Sequence, residues 1–404
     1  MNLRLYNTAS REIEPFAPQG ETVSLYVCGV TPYDTTHMGH AFTYVVFDTL
    51  VRVLRRAGWA VTYVQNVTDI DDDILKRARE TGKQWDELGR EQTAQYEKDS
   101  RALNIEPPTH LLRATDEIDQ MIPLIATLIA KGHAYVAGGN VYFSVASDPD
   151  YGSLSRYSWA EMRTIAAERG GNPNDPRKRD PLDFLLWQAA QPDEPTWDAP
   201  WGSGRPGWHI ECSAMAMHFL GPTVDIHGGG ADLIFPHHES EIAQSEGATD
   251  VHPFVRVWMH TAMVRYQGEK MSKSLGNMVF VRDALRQYDP DAVRLYLLDH
   301  HYRTPWEYED DGPATFLPLV RWATDALSLP TGDGALPDAA GFLTDFDRAL
   351  ENDLDTPAAI VVFQALVETL REAERASDAL HAALRAMAET LGLRLGTSVG
   401  AQNT

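Results

Sequence analysis

Residues 23–67, VSLYVCGVTPYDTTHMGHAFTYVVFDTLVRVLRRAGWAVTYVQNV, decide the fold. VSLYVCG (23–29) is a short apolar run rich in Val, Leu and Tyr, the composition of a buried strand. A helix-like segment fills 41–59, and AVTYVQNV (60–67) reads as a second strand. Strand, helix and strand at this spacing make a βαβ unit. The expected class is therefore α/β, a Rossmann-type open parallel sheet that receives ligands at the C-terminal ends of its strands.

Working outward, TVDIHGG (223–229) and VRVWMHTAMV (255–264) resume the strand pattern. Between them and the opening unit, residues 70–165 look helical, and Gly and Pro crowd 169–207. Trp197, Trp201 and Trp208 are interleaved there, which marks ordered loops rather than a linker. A catalytic sheet domain over 1–312, split by an insertion at about 95–205, is expected. A helical domain over 313–404 follows, with TGDGALPDAAG (331–341) as an inter-helix loop. In it Thr356-Pro357 reads as an N-cap with proline at the first helical position. Ile360, Val361, Phe363, Leu366, Val367 and Leu370 are spaced as one buried face, and the tail beyond about 393 is expected to fray.

The composition, 43% hydrophobic and 23% charged over 404 residues, is that of an ordinary soluble globular protein. No apolar run is long enough to span a membrane and the N-terminus has no signal-peptide core, so a cytoplasmic location is expected. The chain is expected to act as a monomer. Two cysteines separated by 183 residues, Cys28 and Cys212, form no disulfide framework, and thiols used this sparsely suggest metal or catalytic work. The net charge is −23, and from 313 onward 6 Arg face 13 acidic residues with no Lys after Lys273. That balance argues against a nucleic acid partner, whose phosphates call for a basic face.

Two short motifs carry the chemistry. His37-Met38-Gly39-His40 lies where a strand-loop opens into a helix, whose free N–H groups and dipole attract anions such as ATP phosphates. Lys270-Met271-Ser272-Lys273-Ser274, in a loop after Gly268, offers two lysines able to neutralise a departing pyrophosphate. Cys28, Cys212 and His237 give two thiolates and an imidazole, a three-ligand zinc site with an open position that a substrate thiolate could fill. Glu241 is a further candidate ligand. Zinc would lower a thiol's pKa, separating cysteine from serine without editing, although iron and cobalt remain chemically admissible. Two buried structural cysteines are the competing reading. Gly228-Gly229-Gly230 would let the backbone pass close to a ribose or adenine, Trp208 could close the pocket, and Asp34 is a candidate proton acceptor.

CGVTPYDTTHMGHA, QNVTDIDD, GRPGWHIECSAM, IHGGGADLIFPHHESEIAQSE and EKMSKSLGN together resemble the class I aminoacyl-tRNA synthetases. Within that class they resemble cysteinyl-tRNA synthetases and their close relatives, the cysteine:glucosaminyl-inositol ligases of mycothiol biosynthesis. The likeness covers about 3–312 strongly and the stretch to about 393 more weakly. It implies an ATP-dependent, AMP-forming ligase that activates cysteine, with zinc at Cys28, Cys212 and His237. It implies adenylate contacts from Cys28, Gly29, Val30, Thr31, Thr43, Asn66, Val67, Thr68, Trp208, Gly230, Ala231, Asp232 and Val264. His37, His40, Lys270 and Lys273 would be catalytic, serving the phosphates of Mg-ATP.

TPYDTTHMGHA, the Glu168-Arg169-Gly170-Gly171-Asn172-Pro173 segment, an end near LGLRLG where synthetases continue into an anticodon-binding domain, and the acidic lysine-free tail resemble the sugar-amine ligases. The substrates expected are thus ATP, L-cysteine and an amino-sugar acceptor. CSAM and HHESE with Glu241 lie closer to the tRNA enzymes. A tRNA-charging enzyme without an anticodon domain would need a basic strip, for which Arg177-Lys178-Arg179 is the one visible candidate. A relative with another amine acceptor, or a non-catalytic paralogue that only binds cysteine or nucleotide, are the further alternatives.

Overall fold

The computed structural model describes residues 1–32, 36–271, 275–332 and 338–396. Its centre is a five-stranded sheet in the spatial order Val255–Thr261, Val224–Gly230, Thr22–Val30, Ala60–Val67, His110–Arg113, with every pairing parallel. In chain order this is 5-4-1-2-3, the doubly wound arrangement whose ligand crevice lies where the order reverses, between the first and fourth strands. The sheet is that of the class expected. Alternation puts Val23, Leu25 and Val27 into one apolar core and Tyr26 and Cys28 into another.

The first core is built on the helix Met38–Arg56 and runs on through Leu295 into Phe346, Phe363 and Leu384 of the C-terminal helices. The helical unit after residue 313 is thus continuous in packing with the sheet. Arg294, fully buried, ties the parts together: it donates to Asp48 on Met38–Arg56, to the Leu103 carbonyl (2.9 Å) and to the Leu391 carbonyl (2.5 Å). A buried guanidinium is tolerable only when saturated in this way. The second core continues from the sheet's other face into a four-stranded antiparallel sheet, Ala134–Ala137, Asn140–Phe143, Phe184–Ala189 and Gly204–Pro206.

Local expectations differ from this structure in several places. Residues 70–165 are not uniformly helical, because strands at His110–Arg113, Ala134–Ala137 and Asn140–Phe143 interrupt Asp72–Thr81, Trp85–Ala102, Ile118–Ala130 and Trp159–Glu168. The edge strand His110–Arg113 of the main sheet therefore falls inside the stretch 95–205 expected as insertion. VRVWMHTAMV breaks in two: Val255–Thr261 stays in the sheet, while Ala262 donates to Tyr302 O (2.7 Å) and Val264–Tyr266 joins a separate three-stranded sheet. The cap of Thr356–Arg371 is Asp355, whose carboxylate accepts from Ala358 N (3.0 Å). Val361 is 65% exposed and off the buried face. The tail is anchored to residue 395, since Leu393 and Leu395 are buried and Asp291 accepts from the amides of Arg394 and Leu395 at 3.0 Å. Residues 333–337 of the expected loop lie outside the described residues.

Candidate active site and metal centre

The segment around His37 and the stretch 279–281, which follows the second signature motif, meet through backbone hydrogen bonds. Met38 N donates to Val279 O (2.8 Å) and Val281 N to Thr36 O (2.9 Å), with His37 and Phe280 bridged between them. His37 is the N-cap of Met38–Arg56: its Nδ1 accepts from Gly39 N (3.1 Å) and His40 N (3.4 Å). Accepting at Nδ1 leaves the proton of the neutral ring on Nε2, the donor that a phosphate needs. His37 and His40 stack with centroids 3.9 Å apart. Lys273, Ser272, Ser274 and Asp34 lie outside the described residues.

A pocket of about 470 Å³ opens at the reversal of strand order. It is lined by Cys28, Gly29, Thr31, His37, His40, Thr43, Trp208, Gly230, Asp232, Val264 and Lys270 among the expected residues. The others stand behind it. Val30 and Val67 are buried; Asn66 accepts from Gly29 N (2.7 Å), and Thr68 donates to the buried Glu211 (2.9 Å). Ala231 begins a short 3-10 turn beside the wall. Gly29 has a steric reason, since a Cβ there would lie 1.5 Å from the Asn66 carbonyl oxygen. The first strand carries one extra residue between Val27 and Val30 opposite Gln65–Val67, a bulge centred on Cys28 and Gly29.

Beneath the pocket floor Cys28, Cys212, His237 and Glu241 converge, all fully or almost fully buried, with ligand atoms within 4.8 Å of one another. The two sulfurs are 3.8 Å apart, Cys28 Sγ is 3.7 Å from Glu241 Oε1, and His237 Nε2 is 3.1 Å from the same oxygen. The helix Trp208–Leu220 presents Cys212, and His237 and Glu241 stand four residues apart where the chain enters Glu239–Thr249. His237 Nε2 and Glu241 Oε2 are buried without a hydrogen-bond partner, the condition of atoms suited to a cation. Burial, reinforced by Cys212, pushes both the Cys28 thiol and the Glu241 carboxyl well up. Burial, then His209, holds His237 neutral far below its usual range. Groups that cannot ionise singly in this interior can do so around a divalent ion, and two sulfurs, an imidazole and a carboxylate suit zinc.

Several contributors were not apparent in the sequence. His209 Nδ1 meets His237 Nδ1 at 2.9 Å, which fixes the ring; burial pushes His209 down to about 3, so it can accept the proton of His237. Its signal was its place three residues before Cys212 on one helix. His227 and His238 direct Nε2 toward Cys28 Sγ (3.6 and 3.3 Å), and His238 leans on His260 (2.7 Å). Trp208, which the sequence already suggests for closing the pocket, stacks on His237 (4.2 Å, 25°). Arg169 reaches the pocket from the inserted part. The candidate basic strip is largely engaged: Arg177 pairs with Asp175 (2.8 Å) and Arg179 lies over the Tyr135 ring (3.9 Å).

The family model of class I (C) tRNA-synthetase catalytic domains matches residues 15–314. The L-cysteine:1D-myo-inositol 2-amino-2-deoxy-alpha-D-glucopyranoside ligase of Thermomonospora curvata is 45% identical over 96% of this chain and 93% of its own. The cysteine–tRNA ligase of Methylococcus capsulatus is 48% identical over 98% and 85%. Among solved structures, Mycobacterium tuberculosis methionyl-tRNA synthetase in complex with methionyl-adenylate matches with a TM-score of 0.63 over 92% of this chain and 90% of that one. At 17% identity, that match speaks to the fold alone. No described helix is long and apolar enough to cross a membrane.

Proposed function

The chain belongs to the class I (C) tRNA-synthetase catalytic-domain family, a family of ligases, and from that premise we propose that it activates L-cysteine with Mg-ATP and transfers the cysteinyl group to the amine of a glucosaminyl inositol. The observation that carries the reading is the Cys28–Cys212–His237–Glu241 cluster under the floor of the pocket that His37, His40 and Lys270 line. Zinc held by these four groups would favour a substrate thiol in its deprotonated form over a hydroxyl, selecting cysteine against serine.

The chain's own groups then do the rest. The cysteine carboxylate attacks the α-phosphate of ATP, forming cysteinyl-AMP and releasing pyrophosphate. His37 and His40 donate to the phosphates at the N-terminus of Met38–Arg56, while Lys270 and Lys273 neutralise the departing charge. Thr31, Gly230, Asp232 and Val264 hold the adenylate. The neutral acceptor amine attacks the acyl carbon, forming an amide and expelling AMP. ATP and reduced cysteine are intracellular reactants, and the cytoplasm is the compartment proposed.

The sugar-amine acceptor is favoured by the net charge of −23 and by the engagement of Arg177 and Arg179, which leaves little of the expected basic strip. The second reading, transfer to tRNA, draws on the 48% identity to the Methylococcus enzyme. AMP release by the purified protein with ATP and cysteine tests both. Acceleration by glucosaminyl inositol, with a cysteinyl amide in the mass spectrum, supports the first; acceleration by tRNA alone replaces it with the second.

A further inference from the structure

Asp232 stands in the pocket wall just beyond the strand Val224–Gly230. One of its oxygens, Oδ2, meets two cations: Lys270 Nζ at 3.0 Å and Arg169 Nη1 at 3.2 Å. The cations come from different parts of the chain. Lys270 ends the short strand Glu269–Lys270 that leads into the signature loop, whereas Arg169 ends the helix Trp159–Glu168 of the inserted part. Burial pulls the Asp232 carboxyl upward, but Lys270 and then Arg169 bring it below the usual range. Gly230 leaves room for this arrangement, since a Cβ there would lie 2.6 Å from Asp232 Oδ1.

Lys270 cannot serve Asp232 and a triphosphate together. A polyanion outcompetes a single, largely buried carboxylate for one half-exposed ammonium. When Lys270 leaves, Asp232 loses one of its two counter-charges at the moment the adenylate forms. Arg169 is not part of the loop that has to move. Its amide bonds to Ile165 O (3.0 Å), Gly171 N bonds to Ala166 O (2.8 Å), and its helix packs on the Ile234–His238 segment that delivers His237. We propose that Arg169 is a positioning residue that acts through Asp232, holding that carboxylate in the pocket wall when ATP draws Lys270 away. The inference rests on the adenylating function proposed above and adds to it a fixed partner supplied by the insertion.

A double-mutant cycle in cysteine-dependent exchange of pyrophosphate into ATP tests it, whatever the acceptor. R169A is expected to lower kcat for exchange about tenfold while the KM for ATP changes less than about threefold, and R169K to recover most of the loss. In a D232N background R169A should change exchange by less than about twofold, because the group through which it acts is already neutral. Full additivity of R169A and D232N would overturn the inference, as would an R169A enzyme that exchanges like the parent. A merely structural role would lower the melting temperature of R169A and remain additive, so thermal unfolding of the four proteins separates the two. If the parent itself shows no cysteine-dependent exchange, the adenylation reading fails and this inference with it; an active parent with an indifferent R169A sinks the inference alone.

Discussion

The amide of Met38 donates to the carbonyl of Val279 at 2.8 Å, and this contact joins the start of the helix Met38–Arg56 to the stretch that follows the second signature motif. The helix Met38–Arg56 is rigid because its inner face is buried against the sheet: Phe47 fills the space that a Cβ at Gly228 would enter, 2.0 Å from its ring. The stretch 279–281 is thus registered against a helix held by the core.

Val281→Pro probes that registration. Val281 N donates to Thr36 O (2.9 Å), yet Val281 is the first residue of Val281–Ala284, where proline is tolerated, and Phe280 already has extended backbone (φ −86, ψ 142). The substitution removes one tether and spares the helix. Relative to Val281→Ala, which controls for lost packing, kcat/KM for ATP in pyrophosphate exchange should fall roughly threefold to tenfold, the worth of about one hydrogen bond. Equal values for the two variants would show that the tether does not register the loop.

His209→Ala should weaken metal binding without touching a ligand. The contact between His209 and His237 orients the ring that faces Glu241, and loss of such a partner typically costs on the order of 10–100-fold in metal affinity. Competition with a chromophoric chelator measures this directly. Cys212→Ser, which removes a proposed ligand, should lose far more, and cobalt substitution should show weaker sulfur-to-metal absorption. Unchanged zinc affinity in H209A would mean that Trp208, stacked on the other face, suffices to hold the ring.

The parts of this molecule legible in sequence are those where one residue type has one physical use. A buried apolar run ending at Cys28-Gly29 before a helix announces a sheet crevice, and the two sparse cysteines announce the Cys/His/Glu cluster that could hold a metal ion. Less legible are features set by partners distant in sequence. The strand His110–Arg113 is four residues, HLLR, with no alternation; it is a strand because Ala60–Val67 offers it an edge. Arg169 and His209 carry no motif-level signal for their contacts: Arg169 meets Asp232 once the helix Trp159–Glu168 of the insertion packs on Ile234–His238, and His209 meets His237 from the separate helix Trp208–Leu220. Val361 is apolar, but at about 100° per residue it stands off the stripe formed by Ala359, Ile360, Phe363, Leu366, Val367 and Leu370, and it is exposed.

Asp355→Ala tests the one cap that the sequence pattern displaced by a residue. Asp355 accepts from Ala358 N (3.0 Å), whereas Thr356 Oγ1 donates to Leu298 O (2.7 Å) and anchors the helix to its neighbour. D355A should destabilise by about 1 kcal/mol through the lost cap. Thr356→Val should cost a similar amount by leaving the Leu298 carbonyl unsatisfied in the core. Urea midpoints distinguish this from a Thr356 cap, for which only T356V would matter.

Asp71 gives a stability signal with a defined pH window. It caps Asp72–Thr81 by accepting from Ile74 N (2.7 Å), and its pKa rises from 3.8 to about 6, mainly through burial, with Asp73 and Asp72 adding to the rise against Ile74 and Arg205. The folded value lies above the unfolded one, so the folded state binds the extra proton and stability falls as pH climbs from about 4 through about 6. Asn caps as well as Asp but cannot ionise. Asp71→Asn should therefore match the parent in urea unfolding near pH 4 and exceed it at pH 8 by on the order of 1–2 kcal/mol, the full linkage discounted because the side chain is partly solvated. A D71N gain that is equal at both pH values would instead assign the effect to removal of repulsion in the unfolded chain, and a loss at pH 8 would mean that the charged cap is worth more than its desolvation costs.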